Sequence, residues 1–155
     1  MPIPKRHPKL PSEEEIDAAL RRIPRRALRT EWILDEDGGR YLLGLDCVRS
    51  LVNGDTTDEK AYSDALRDYL RGAVPRMRVE YNRILIEVVF GIGDERWDNK
   101  SWRQKKAKER REEAGKQFKP ESEPVQADTI RQSYEHGAIK ELAAIVRQDE
   151  KAARG

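Results

Sequence analysis

The fold is decided by residues 58–90, which read DEKAYSDALRDYLRGAVPRMRVEYNRILIEVVF. Apolar side chains recur every three or four residues in both halves of this stretch, which is the spacing of one helix face. One helix is therefore predicted over residues 58–73, and a second over residues 76–90 after Pro75. Because the connection between them is short, we expect the two helices to pack antiparallel at the centre of the core.

Helical spacing of apolar residues also recurs outside this pair. Ser12 is a suitable N-cap for the first of the outer helices, and Pro24 is expected to end or kink it. Together these segments predict an all-α fold, a compact bundle of about six or seven helices. The outer helices are predicted over residues 12–23, 25–34, 39–52, 100–118 and 127–146.

Residues 31–45 allow a second interpretation. Gly38 and Gly39 form a turn, and the segments on either side of it, 31–35 and 40–45, could pair as a β-hairpin. The sequence leaves helices and hairpin open at this point.

The length of 155 residues fits one domain, because a chain of this size buries one core. Residues 1–11 contain four prolines and several basic residues, and are predicted to be a flexible basic arm. Residues 12–147 are predicted to form a single helical domain, and residues 148–155 a frayed tail. The basic arm and the basic helix at 100–118 are expected to lie outside the core, which the helices around 41–52, 58–73, 76–90 and 127–146 would form.

Composition limits the cellular setting. Charged residues make up 39% of the chain and hydrophobic residues 37%, which is polar for a globular protein yet apolar enough for a core. The single cysteine excludes an internal disulfide. No apolar run approaches the roughly 20 residues of a membrane span, and the N-terminal prolines interrupt any signal peptide. We therefore expect a cytoplasmic protein with no membrane contact.

The sequence holds no recognisable set of catalytic residues. His7 and His136 have no cysteine or second histidine at the spacing of metal ligands. Cys47 is expected to be a small buried thiol. The GIG at residues 91–93 lacks the remaining glycine of a dinucleotide loop and is interpreted as a turn. We expect a protein that is not an enzyme and that uses no metal or small-molecule cofactor.

Positive charge is concentrated in two segments. Residues 21–29 contain five arginines and no internal acid, and residues 100–119 contain nine basic residues against three acids. Such clustering indicates an acidic partner more strongly than the net charge of +2 does.

Residues 100–146 resemble a helix-turn-helix in the order of their elements, a basic helix, a turn and a helix with a polar first turn. In such units the second helix presents side chains to base edges, and basic neighbours hold phosphates. Ala114 and Ile130 would form the packing between the two helices. The predicted base-presenting residues are Gln126, Asp128, Thr129, Arg131 and Gln132, and the predicted phosphate contacts are Arg110, Arg111, Lys116 and Lys119.

A solvated charged surface is the competing interpretation of this segment. Lysines and glutamates between residues 105 and 113 are spaced to form ion pairs within the helix. The connection at 119–126 is longer than the three or four residues of a standard unit, and Gly115 lies inside the first helix.

Several short motifs in the second half of the chain occur together. They are ERR at 109–111, AG at 114–115, TIRQ at 129–132, YE at 134–135 and LA at 142–143. In this pattern, residues 12–147 resemble a group of small proteins from GC-rich actinobacteria. The resemblance implies a helical fold and an actinobacterial origin, and it carries over no activity and no functional residue.

These patterns predict a non-enzymatic regulatory or adaptor protein, of the kind that acts in transcription regulation. It would contact DNA through residues 100–132, with the arginines at 21–29 as a second contact. The alternative is a protein–protein interaction module, a homodimer or an adaptor, in which the charges serve only solubility and no nucleic acid is bound.

Overall fold

The computed structural model describes residues 4–36, 38–52, 58–118 and 123–155. Within these ranges the chain is mostly helical and contains no strand, so the predicted all-α class is confirmed. None of the described helices is long and apolar enough to cross a lipid bilayer. The helices are α1 (Glu13–Leu20), α2 (Ile23–Arg26), α3 (Thr30–Ile33), α4 (Asp46–Arg49), α5 (Glu59–Ala73), α6 (Glu80–Phe90), α7 (Lys100–Arg103), α8 (Ala107–Phe118), α9 (Ala127–Thr129) and α10 (Glu135–Ala153). Short 3₁₀ segments cover Gly39–Gly44 and Val74–Arg76, and a π-helical segment covers Ile130–Tyr134.

The first helix begins as the sequence predicts. The Ser12 hydroxyl accepts a hydrogen bond from the amide of Glu15, and the Glu15 carboxylate accepts one from the amide of Ser12. This capping box satisfies two amides that a helix start otherwise leaves without partners. One face of α1 is buried, with Ile16 and Leu20 almost fully enclosed.

The region after α1 is helical in short pieces. Where helices and hairpin were both open, the described residues between 31 and 45 contain most of α3 and the 3₁₀ segment Gly39–Gly44, and no strand. A Cβ atom on Gly38 would lie 2.5 Å from the carbonyl oxygen of Trp32, and one on Gly39 would lie 2.9 Å from the Trp32 ring. The two glycines therefore let the chain wrap closely around an indole instead of forming a hairpin turn.

Helices α5 and α6 form much of the core, but they do not pair with each other as predicted. Helix α6 packs chiefly against α8 and α10, and α5 packs against α4. The carboxylate of Glu141 on α10 accepts hydrogen bonds from the amide of Arg78, at 2.6 Å, and from the side chain of Asn82, at 3.0 Å. This carboxylate holds the start of α6 against α10, so α6 turns away from α5.

The predicted flexible arm is packed where the structure describes it, from residue 4 onward. Pro4 and Pro11 are buried. The amide of His7 donates to the carbonyl of Gly44 at 3.2 Å. Arg6 forms two hydrogen bonds to Asp46, of 2.7 and 2.8 Å. The prolines prevent helix formation without preventing attachment, because side chains and single amides provide the contacts.

The predicted frayed tail is also part of the folded body. Helix α10 continues to Ala153, and Glu150 is fully buried. The Glu150 carboxylate accepts hydrogen bonds from the amides of Asp46 and Cys47, both at 2.9 Å. Arg154 donates to Glu150 at 2.8 Å and to the carbonyl of His7 at 2.7 Å. A pattern of apolar residues gives no sign of this attachment, because a carboxylate and a guanidinium make it.

The basic segment, which was expected outside the core, is divided and partly buried. Helix α7 ends at Arg103 and α8 begins at Ala107, and α8 packs against α6 along much of its length. Ala114 is fully buried. A Cβ atom on Gly115 would lie 1.9 Å from the carbonyl oxygen of Val125, so only glycine allows this close approach. The buried face of α8 carries few large apolar residues, which is why its packing was not predicted.

We expect Glu150→Gln to lower the free energy of unfolding by about 1.5–3 kcal/mol at pH 7, because hydrogen bonds to a charged group are lost. Burial by itself would raise the pKa of Glu150, but the amides of Asp46 and Cys47 and the guanidinium of Arg154 hold it below its ordinary value. The contribution of Glu150 is therefore fully present above its ordinary pKa of 4.5 and is lost as the pH falls through the folded value. Urea unfolding at pH 7 and at pH 3 measures both effects.

The matched control for this prediction is Glu112→Gln, an exposed carboxylate on α8. Its unfolding free energy should change by less than about 0.5 kcal/mol. A difference between wild type and Glu150→Gln that stayed constant from pH 7 to pH 3 would contradict the proposed role of the charge.

Candidate nucleic-acid interface

The two basic segments of the sequence meet in the structure. Arg29 donates from Nε to the carbonyl oxygen of Arg103 at 2.6 Å, and from Nη2 to the carbonyl oxygen of Lys105 at 3.2 Å. These bonds join the segment after α2 to the connection between α7 and α8. Because the acceptors are neutral carbonyls, the bonds leave the positive charge of Arg29 in place.

Arg110 makes a second connection between the same segments, and its predicted role as a phosphate contact is wrong. Its side chain is fully buried. The guanidinium donates to the carbonyl oxygens of Lys105 at 3.1 Å and of Pro24 at 2.8 Å, and also to that of Val89. All of its acceptors lie inside the protein, so no phosphate can reach it.

The electrostatic surroundings of Arg110 are positive. Burial lowers the pKa of Arg110 to about 10, and the neighbouring charges of Arg29 and Arg111 act in the same direction, opposed by Glu135. Arg110 therefore remains protonated at neutral pH. Three guanidinium groups lie close together in this part of the molecule.

The exposed cations around these two connections form what we call the basic face. Pro24 and Lys105 both accept hydrogen bonds from the one guanidinium of Arg110, so their backbones lie within a few ångströms of each other. Arg25 and Arg26 follow Pro24, and Lys106 follows Lys105. The basic face consists of the side chains of Arg25, Arg26, Arg29, Lys105 and Lys106, of which all but the half-buried Arg29 are exposed.

Arg111, the second predicted phosphate contact, is paired inside the protein. Its guanidinium donates twice to the carboxylate of Glu135, with both distances at 2.8 Å. The side chains are 16% and 8% exposed, so solvent screens the pair only weakly. The pair joins α8 to the start of α10, and its positive charge is balanced.

The predicted base-presenting residues are on the surface. Ala114 and Ile130, expected to pack the two helices together, are both fully buried. Lys116 is exposed on α8, whereas Lys119 lies outside the described residues. We call the exposed set at the start of the second helix the presenting turn, and it comprises Gln126, Asp128, Thr129, Arg131 and Gln132.

The presenting turn carries little internal pairing. The nearest ion pair joins Arg131 to Asp128 at 3.9 Å, and these side chains are 55% and 87% exposed. An exposed pair of this length contributes little to stability. Both side chains are therefore available to a partner at small cost.

A second group of cations, which the sequence does not predict, lies next to the basic face. Lys60 and Arg67 on α5 line one depression together with Lys100 and Arg103 on α7, and Arg29 lies at its edge. Arg67 is only 7% exposed. No signal in the sequence places these residues together, since α5 and α7 are about 40 residues apart.

The cysteine and the two histidines lie in three different places in the fold. Cys47 is buried, as predicted, and burial raises the pKa of its thiol to about 12. His7 lies against the Tyr41 ring with 4.2 Å between ring centroids. His136 is exposed beside α1 in a groove of about 480 Å³. Within the described ranges, no cluster of His, Cys, Asp and Glu is placed to hold a metal ion.

Comparison with known proteins assigns no family. No family model, no curated protein and no solved structure matches the chain. The resemblance to an actinobacterial group therefore stays a prediction.

We expect Arg110→Met to lower the free energy of unfolding by about 3 kcal/mol or more. The change removes the donor to the buried carbonyl oxygens of Pro24 and Val89, and each such loss costs about 1–3 kcal/mol, whereas the carbonyl of Lys105 still accepts from Arg29. Urea unfolding followed by circular dichroism measures the effect. Lys108→Met removes an exposed charge from the same helix and should cost less than about 0.5 kcal/mol. Equal losses in the two variants would contradict the role given to Arg110.

Proposed function

We propose that the protein is a non-enzymatic regulatory or adaptor protein that contacts DNA. In this proposal the basic face and Lys116 hold backbone phosphates, and the presenting turn approaches base edges. Phosphate contacts supply most of the affinity in such a complex, and contacts to base edges supply the sequence preference.

The observation that carries the proposal is the convergence of the two basic segments. Residues 25–29 and 103–106 are distant in the sequence but are joined by the guanidinium groups of Arg29 and Arg110. The acceptors of these groups are carbonyl oxygens, so the positive charges of Arg29 and Arg110 are not paired with acids there. On the face itself, Lys105 lies 4.0 Å from Glu109 in an exposed pair that contributes little. Like charges repel when gathered on one surface, and a polyanion relieves that repulsion.

The exposure of the presenting turn supports the second part of the proposal. Gly115 allows Val125 to approach α8 closely, which places the start of the second helix beside the basic helix. Arg111 joins these helices and is paired with Glu135, so it is not among the proposed phosphate contacts. Exposed cations of the basic face take that role. The proposed DNA contact and the sequence prediction therefore use different sets of cations to hold phosphates.

We expect the triple variant Arg25→Ala, Arg26→Ala, Lys106→Ala to weaken binding to a duplex without terminal phosphates. Each lost phosphate contact should reduce the slope of log affinity against log salt by about 0.9. The triple variant should therefore lose about two to three units of slope, measured by fluorescence anisotropy at several salt concentrations.

The matched control removes three exposed lysines away from the basic face, Lys9, Lys140 and Lys151, by substitution with alanine. It has the same net charge as the triple variant. Equal losses of slope in the two variants would show a diffuse charge effect and would contradict a defined contact surface.

We expect Thr129→Ala with Gln132→Ala to reduce sequence preference while leaving the salt slope unchanged. Both side chains are exposed, so the fold should not change. Each lost contact to a base edge should cost about 1–3 kcal/mol of discrimination. Selection from a random duplex library, followed by binding to the enriched and shuffled sites, measures this discrimination. Undiminished preference in the variant would exclude the presenting turn from base contacts.

The alternative function, self-association, has one observation in its favour. The ring of Tyr81 is 50% exposed and lies in edge contact with Phe118 and Tyr134, at centroid distances of 5.7 and 6.1 Å. Exposed aromatic side chains are enriched in protein interfaces. A dimer that is insensitive to salt in sedimentation equilibrium, together with absent duplex binding at low salt, would favour this function over DNA contact.

A further inference from the structure

A cationic depression lies between α3, α5 and α7, next to the basic face. Its volume is about 300 Å³, which is at the lower end of pockets that hold small ligands. We call it the arginine pocket. Its cationic lining residues are Arg29, Lys60, Arg67, Lys100 and Arg103.

The more buried wall of the arginine pocket is formed by two guanidinium groups. Arg67 is 7% exposed and the side chain of Arg103 is 12% exposed. Arg67 donates from Nε to the carbonyl oxygen of Leu28 at 3.0 Å, and Arg103 donates from Nη1 to that of Gly91 at 2.9 Å. These bonds fix both side chains in position without an anionic ligand.

The acids near this wall balance most of its charge. Asp64 accepts from Arg67 at 2.9 Å, and Asp98 accepts from Arg103 at 2.9 Å but is also shared with Arg71 at 2.6 Å. Burial lowers the pKa of Arg67, and the positive charge of Arg103 lowers it further, with Asp64 acting in the opposite direction. Arg71 also pairs with Asp68 at 2.6 Å, so most of the charge of the wall is balanced and the excess positive charge comes mainly from Arg29, Lys60 and Lys100.

The rim of the arginine pocket adds two further cations. Lys60 and Lys100 are exposed, and neither ammonium group has a carboxylate within ion-pair distance in the described part of the chain. Five cationic and two acidic side chains, Glu31 and Asp64, line the pocket, and with the Asp98 partner of Arg103 the formal excess is two positive charges. Thr30 and Gln104 complete the lining with neutral polar groups.

We propose that the arginine pocket binds a phosphate monoester dianion. Guanidinium groups match the geometry of phosphate oxygens, and flexible lysines at the rim can close on the third oxygen. A terminal phosphate can reach the buried wall, whereas a phosphate inside a duplex is flanked by sugars on both sides. The ligand is therefore a phosphorylated small molecule or the 5′-phosphate end of a nucleic-acid strand, both of which present the same group.

The first experiment uses the full chain with inorganic phosphate and pyrophosphate as probes. We expect both to bind in isothermal titration, and to shift the Nε–H signals of Arg67 and Arg103 in NMR spectra. Lys60→Met with Lys100→Met should raise the dissociation constant about tenfold, because charge-assisted hydrogen bonds are lost. Both lysines are exposed, so the variant should fold.

The matched control is Lys9→Met with Lys151→Met, which removes the same charge from exposed positions outside both the basic face and the arginine pocket. It should change the dissociation constant less than about twofold, since exposed charges at a distance are screened by salt. Equal effects of the two variants would overturn the proposal, as would phosphate-induced shifts that miss Arg67 and Arg103.

The second experiment separates the two sources of the phosphate group. A nucleoside 5′-monophosphate and a short single strand with a 5′-phosphate are each compared with the corresponding 5′-hydroxyl compound. Preference for the phosphorylated nucleoside assigns a small-molecule ligand, and preference only for the phosphorylated strand assigns a strand end. Equal binding of the phosphorylated and hydroxyl forms in both pairs would overturn the proposal.

The test of phosphate binding in the arginine pocket does not depend on the proposed DNA contact. The duplex used to test DNA contact has no terminal phosphate, and its variant changes Arg25, Arg26 and Lys106, none of which lines the arginine pocket. Failure of one binding activity would therefore leave the other measurable.

Discussion

The guanidinium group of Arg110 is the interaction on which the arrangement of the basic surface depends. It is fully buried and donates to carbonyl oxygens of three separate segments, at Pro24, Val89 and Lys105. A buried charge is costly unless its donors are satisfied, and here carbonyl oxygens of α2, of the end of α6 and of the connection before α8 satisfy them. If these backbone segments moved apart, the buried guanidinium group would lose its hydrogen-bond acceptors.

Near the C-terminus, a buried carboxylate also joins separate segments of the chain. Glu150 is fully buried near the C-terminus and accepts hydrogen bonds from two amides at the start of α4. Arg154 then joins Glu150 to the N-terminal segment through the carbonyl of His7. Charged side chains thus act inside this fold as connectors between backbone groups, which explains how a chain with 39% charged residues builds a defined core.

This use of charge has a consequence for the proposed interface. Arginines that bind carbonyl oxygens keep their positive charge, whereas arginines that bind carboxylates lose its effect. Arg29 belongs to the first kind, and Arg111, paired with Glu135, belongs to the second. The surface potential is therefore decided by which acceptor each arginine meets. The count of basic residues in a segment does not contain that information.

The amino-acid sequence by itself determined the helical class, the capping of α1 and the buried faces of α5, α6 and α10, because helix periodicity and caps are local properties. It also placed the presenting turn on the surface. The tertiary structure alone decided that Arg110 is buried, that residues 4–11 and 148–153 are attached, and that α5 and α6 separate. Each of these depends on a polar side chain meeting a backbone group far away in the sequence, and such a meeting leaves no periodic signal in the residues that make it.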